Sequence, residues 1–181
     1  MDWLNDVESK LKRKNQVLFD KDSEFLADLS ALIQEQNHRV MVLWAFEFAE
    51  ETVQKLLQRY PNEKRLEAAL TTSKDWAAGR VKMPVAKHAI LQAHAVAKEI
   101  DSIEDIALCH AIGQACGVVH ANGHAIGFPI YDLTAIVRKY GVPECKRFVE
   151  ERKQQYIERI YYWREHYQDY PHKWADFMMK D

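Results

Sequence analysis

The chain has 181 residues, enough for one sizeable hydrophobic core, which excludes a small scaffold held together by disulfides. Its 48% hydrophobic and 29% charged residues are typical of globular proteins and exclude a disordered or low-complexity chain. The formal net charge of -2 provides no overall positive field, so we do not expect a nucleic acid as partner.

Helical periodicity dominates the whole chain, and no strand alternation of useful length is present. In chain order, the predicted helices cover residues 3–17, 25–33, 39–60, 63–78, 84–100, 103–128, 130–140 and 144–167. Because Pro129 lacks an amide hydrogen, the helix over 130–140 is either a kinked continuation of its predecessor or a new helix. We therefore expect an all-α fold, a helical bundle of about seven to nine helices.

The predicted helices favour a single domain over residues 1–181. We expect peripheral N-terminal helices over 1–35, a central bundle over 36–142, and a charged, aromatic-rich C-terminal helix with a tail over 143–181. The 3 cysteines form no Cys-x-x-Cys pair, and an odd number of unpaired thiols indicates the cytoplasm. Neither a secretory signal nor a membrane-spanning segment is expected, since no long apolar run is present.

The segment 110–127 contains four of the chain's 6 glycines. If it forms one helix, a single narrow stripe carries only glycine and histidine, namely His110, Gly113, Gly117, His120, His124 and Gly127. Each glycine inside a helix costs about 1 kcal/mol relative to alanine. The stripe therefore predicts that a neighbouring helix or a ligand approaches the backbone closely.

Two interpretations of this stripe remain open. The favoured one is structural: the glycines admit a neighbouring helix, and the histidines form hydrogen bonds with it. In the alternative, His120 and His124 are two nitrogen ligands of a metal, and His94, His110 or Glu47 completes the site. The favoured interpretation requires no metal and no cofactor.

Glu47 lies on the apolar side of the helix predicted over 39–60, where a carboxylate needs a cation or several donors. Its candidate partners are Arg65, Arg80, His120 and His124. A buried ion pair is favoured, and an acid in a pocket or simple exposure are the alternatives.

Eight of the 20 aromatic residues lie between Tyr156 and Phe177. Core packing is favoured for most of them, although tyrosine and tryptophan also form protein interfaces. Stacking on nucleotides is less favoured, because glutamates interleave with the arginines of this segment. The chain contains no phosphate-binding loop, nucleophile elbow or zinc-type cysteine pairs, so we predict no catalytic residue.

The segments 43–50, 63–70, 76–79, 93–95 and 113–125 resemble, in residues and in spacing, the bacterial immunity proteins of the Imm5-like family. The resemblance covers residues 39–131, and it departs from the family pattern at Glu47, where the family usually has aspartate. We refer to the residues that carry it as the motif cluster, binding or structural in role: Trp44, Glu47, Glu50, Arg65, Trp76, Gly79, His94, Gly113, Gly117, His120, Gly123 and His124.

The resemblance implies a cytoplasmic helical protein that neutralises a toxin and has no catalytic residues. Its partner would be the cognate toxin, covered by a complementary surface of the immunity protein. The alternative is a metal-dependent helical enzyme or a small-ligand-binding protein that uses His94, His120, His124 and Glu47. A homodimer, joined through the glycine stripe or the aromatic tail, is a further possibility.

Overall fold

The computed structural model describes residues 2–180, and the secondary structure within them is entirely helical, as predicted. Eight α-helices in this part confirm the all-α bundle. They are α1 (Trp3–Lys12), α2 (Ala27–Gln34), α3 (His38–Arg59), α4 (Arg65–Ala77), α5 (Met83–Val96), α6 (Ile103–Gly117), α7 (Gly127–Tyr140) and α8 (Cys145–His166). Short 3-10 turns cover Glu24–Leu26, Asn122–His124, Tyr167–Asp169 and Asp176–Met179.

The helix α6 lies at the centre and packs against α3, α4, α5 and α7. Because neighbours surround it, its buried residues are not confined to one face, which is the pattern of a core helix. Cys109 and Cys116 on this helix are buried free thiols, as is Cys145 at the start of α8. Within residues 2–180, no helix combines the length and the apolar character that crossing a membrane requires.

An aromatic cluster joins α3, α7 and α8. Trp44 makes edge-to-face contacts with Phe48, Phe128 and Tyr156, with ring centroids 5.1, 6.2 and 5.9 Å apart. The indole Nε1 of Trp44 donates a hydrogen bond to the backbone oxygen of Tyr156 at 3.0 Å. Trp44, from the motif cluster, is therefore a core residue that fixes the position of α8 against α3.

A buried polar group completes this part of the core. Arg152 donates from Nε to Oδ2 of Asp132 at 2.7 Å, and the hydroxyl of Tyr156 donates to the same oxygen. Burial alone would lower the pKa of Arg152, but the carboxylate of Asp132 raises it above its ordinary value. The Asp132 carboxylate is thus buried with a cation and a hydroxyl donor, and its charge is compensated.

The first helix is shorter than predicted: it ends at Lys12, and Lys14 has a positive φ of 57°. Beyond this turn, Leu18 and Phe19 enter the core, where their exposures are 0% and 1%. The backbone amide of Leu18 donates to the hydroxyl of Thr134 at 3.0 Å. This contact with α7 holds Leu18 outside a helix, and a contact over such a sequence distance leaves no periodic signal, which explains the difference.

The prediction of one helix over 103–128 is wrong, because α6 ends at Gly117 and α7 begins at Gly127. Two contacts stabilise the break, one from the first residue of α3 and one from the segment before it. A ring nitrogen of His38 lies 2.6 Å from the backbone oxygen of Val118, and Asn122 donates from Nδ2 to the backbone oxygen of Gln36 at 3.1 Å. Pro129 lies in the first turn of α7, where its missing amide hydrogen costs no helical hydrogen bond.

Candidate functional site

A groove of about 400 Å³ opens beside α5, between this helix, α4 and α6 with the turn that follows it. We call it the histidine groove. Its lining residues are Trp76, Met83, Lys87, Ile90, Leu91, His94, Gly113, Gln114, Gly117, His120 and His124. The groove therefore brings together six residues of the motif cluster that come from three helices and a turn.

The glycines of α6 have a definite steric role in the groove. A Cβ atom at Gly113 would overlap the imidazole of His94, and one at Gly117 would lie 3.2 Å from the ring of His124. Imidazole rings are thus the groups that approach the helix backbone closely. Gly123 has no such role, since a Cβ atom there would meet nothing within 4 Å.

His94 and His110 form a hydrogen-bonded pair at one end of the groove. Their Nδ1 atoms lie 2.8 Å apart, so one ring donates and the other accepts. Burial, together with the nearby His110, lowers the pKa of His94 to about 4. Burial also lowers the pKa of His110, so both rings are neutral near pH 7.

At the other end, His120 stacks on Trp76 with ring centroids 6.3 Å apart and an interplanar angle of 25°. The ring of His124 meets His120 edge-on, also at 6.3 Å. Burial lowers the pKa of His124, and the neighbouring His120 contributes in the same direction. This end of the groove therefore presents flat, polarisable rings.

Glu47 does not contact the histidines of the groove. The prediction of Arg65, Arg80, His120 or His124 as its partner is wrong. The Oε1 atom of Glu47 lies 2.7 Å from Nη2 of Arg159, and Oε2 accepts from Nε of the same arginine at 3.0 Å. The indole of Trp163 donates to Oε2 at 2.8 Å. With 34% of its side chain exposed, Glu47 forms a half-buried ion pair that ties α8 to α3. The spacing of Arg159 and Trp163, four residues apart on one helix face, was the signal available in the sequence.

The alternative metal set is consequently not assembled as one group. His94 is bonded to His110, and Glu47 is bonded to Arg159 and Trp163 outside the groove. In the part of the chain that the structure describes, no three His, Cys, Asp or Glu side chains are grouped so that they could hold a metal ion.

Two other members of the motif cluster, Arg65 and Glu50, form ion pairs. Arg65 at the start of α4 pairs with Glu63 and Glu99, and Glu50 of α3 lies 3.2 Å from Nζ of Lys74. These contacts join α4 to the segment after α5 and to α3.

Gly79 ends α4 with a positive φ of 79°. A Cβ atom at Gly79 would lie 3.3 Å from the side chain of Ala175. The amide of Ala175 donates to the backbone oxygen of Ala77 at 2.7 Å, so the C-terminal tail docks against the end of α4.

One side of the groove is formed by α5, and this was not predicted from the sequence. Met83, Lys87 and Leu91 follow one another at intervals of four residues and line the same side of the groove. Met83 and Leu91 are 44% and 55% exposed, so not all large apolar side chains of this helix lie in the core.

A model of the family described as "Imm-5 like putative immunity protein" matches residues 31–159. The match includes all the residues that line the histidine groove, and it contains the span 39–131 over which the resemblance was noted. No curated protein and no solved structure matches the chain. The chain belongs to the Imm-5 like immunity protein family.

Proposed function

We propose that the protein binds a cognate bacterial toxin and neutralises it by covering the toxin's active site or substrate groove, without catalysis. Membership of an immunity protein family is the observation that carries this proposal. An immunity protein protects the cell that makes it from a toxin. The direct partner that we propose is therefore the toxin, which is itself a protein.

The chemistry of the candidate nucleophiles supports action by contact. Burial raises the pKa of both the Cys109 and the Cys116 thiols to about 12, so neither is a thiolate at neutral pH. His94 and His110 hydrogen-bond to each other and not to a serine, threonine or cysteine that they could activate.

Affinity in such a complex would come from a few buried anchors, and charges around them would orient the partners. Free cysteines support a cytoplasmic location, where thiols stay reduced. The complex has a stoichiometry of 1:1, or of 2:2 if the protein itself dimerises.

The proposal is tested by expressing a candidate toxin domain, with and without this chain, in a sensitive host. We expect growth arrest by the toxin alone and normal growth when both are expressed. Size-exclusion chromatography of the purified chain with a catalytically inactive toxin should show a stable complex. Continued arrest together with separate elution of the two proteins would contradict the proposal.

A further inference from the structure

We propose that the histidine groove and the exposed face of α5 form the docking surface for the toxin, and that an acidic face of the toxin places a tyrosine or tryptophan side chain in the groove. This inference rests on the proposed function and adds to it where the toxin binds and by which chemistry. Charge, exposed apolar surface and the interior of the groove each support it.

The charged residues in the segment that contains α5 have one sign. Residues 80–98 include Arg80, Lys82, Lys87 and Lys98 but no aspartate or glutamate, although the whole chain has a net charge of -2. Arg80 pairs with Asp75, whereas the three lysines form no ion pair with any residue in 2–180. A local positive surface on a chain that is otherwise acidic favours an acidic partner.

The same face of α5 exposes large apolar side chains. Met83 and Leu91 are 44% and 55% exposed, within a helix of 14 residues. Met83 and Leu91 form the rim of the groove on either side of Lys87. Apolar side chains at the edge of a concave site, beside a lysine that forms no ion pair, are typical of a protein interface.

The interior of the groove has a different character from its rim. The pKa values of His94 and His124 in the interior are lowered, so these two rings carry no charge at neutral pH. The rings of His94 and His124 therefore offer a carboxylate of the partner no cation, whereas an aromatic ring would find Trp76 and His120 to stack on. Acidic residues of the partner therefore meet the lysines outside, and an uncharged ring enters.

The histidine rings further favour an aromatic residue with a polar tip. The imidazoles of His120 and His124 make no hydrogen bond to any group between residues 2 and 180. A tyrosine hydroxyl or an indole N–H could donate to a ring nitrogen while the ring itself stays in apolar surroundings. The volume of about 400 Å³ lies within the range of pockets that hold molecules of this size.

The test measures, by isothermal titration calorimetry, binding of a catalytically inactive form of the candidate toxin domain used to test the proposed function. The double variant Lys87→Glu/Leu91→Asp changes the rim, and Leu11→Asp/Lys12→Glu on α1 introduces the same kinds of change outside the groove. Since all four side chains are exposed, both variants should fold, which circular dichroism verifies.

We expect the α5 variant to weaken binding about 100-fold and the α1 variant to stay within about twofold of wild type. If wild type binds and both variants bind as wild type does, the docking surface is wrong and the proposed function stands. If wild type itself does not bind, the proposed function fails and the inference fails with it.

A second measurement addresses the anchor. The imidazole Cε1–H resonances of His120 and His124 should shift when the toxin domain is added, because an aromatic ring would then lie against them. His166 at the end of α8 lies outside both α5 and the groove lining and provides the internal reference. Binding that leaves the His120 and His124 resonances in place would overturn insertion into the groove.

Discussion

Replacing Gly113 by alanine tests the packing that builds the histidine groove. An added Cβ atom would overlap three atoms of the His94 ring, Nε2, Cε1 and Cδ2, and the ring is held from its other side by the hydrogen bond to His110. To make room, the ring must rotate away and lose that hydrogen bond, or α5 must move away from α6.

Two opposing contributions determine the size of the effect. Alanine is favoured over glycine inside a helix by about 1 kcal/mol. Overpacking of a well-packed site costs about 1–3 kcal/mol, and the lost hydrogen bond about 1 kcal/mol more. We therefore expect Gly113→Ala to lower the free energy of unfolding by about 1–3 kcal/mol, equivalent to a fall in Tm of about 2–12 °C for a chain of this size.

Urea unfolding followed by circular dichroism measures this change, and a double-mutant cycle isolates its cause. In the His94→Ala background the overlap no longer exists, so Gly113→Ala should stabilise the protein by about 0.5–1 kcal/mol. Gly123→Ala is the control, because a Cβ atom there meets nothing within 4 Å. Equal effects of Gly113→Ala in the two backgrounds would refute the packing of His94 on α6.

Three further predictions concern the core, the pH dependence and the thiols. Tyr156→Phe removes one of two side-chain donors to the buried Asp132 and should lower the free energy of unfolding by about 1–3 kcal/mol in urea titrations, whereas an unchanged value would contradict the bond. Because the pKa of His94 falls from 6.5 to about 4 on folding, its contribution to stability is complete above pH 6.5 and is lost as the pH falls to 4. Wild type should lose about 2 kcal/mol more than His94→Gln over this interval, and parallel pH profiles would refute the assignment. The Cys109 and Cys116 thiols should react with Ellman's reagent at pH 8 only after unfolding, and fast reaction of the native protein would show that they are accessible.

Local sequence patterns predicted the helices well, because each has an apolar face and most end at proline, glycine or a polar turn. The break after Gly117 could not be predicted in this way, since residues 118–128 continue a helical pattern. The contacts that stabilise the break, His38 with Val118 and Asn122 with Gln36, join residues 80 and 86 positions apart. Long-range hydrogen bonds of this kind leave no periodic signal in a single sequence.

The glycine and histidine stripe was predicted on a continuous helix that does not exist. The predicted close approach to the backbone nevertheless occurs at Gly113 and Gly117. That prediction did not need a continuous helix, because a glycine inside any helix costs stability and so indicates a close neighbour. His120 and His124 reach the groove through the turn after α6. The partner of Glu47 could not be predicted, since Arg159 lies 112 positions away and several other cations were equally plausible.

The toxin's own activity measures whether the protein neutralises its toxin by contact, one molecule for one, as we propose. Increasing amounts of the purified chain are added to a fixed amount of active toxin, at toxin concentrations well above the dissociation constant. We predict a linear loss of activity that reaches zero at one equivalent, and activity that returns when the complex is dissociated. Complete loss at a small fraction of an equivalent, or loss that persists after the chain is removed, would mean that the protein modifies the toxin catalytically.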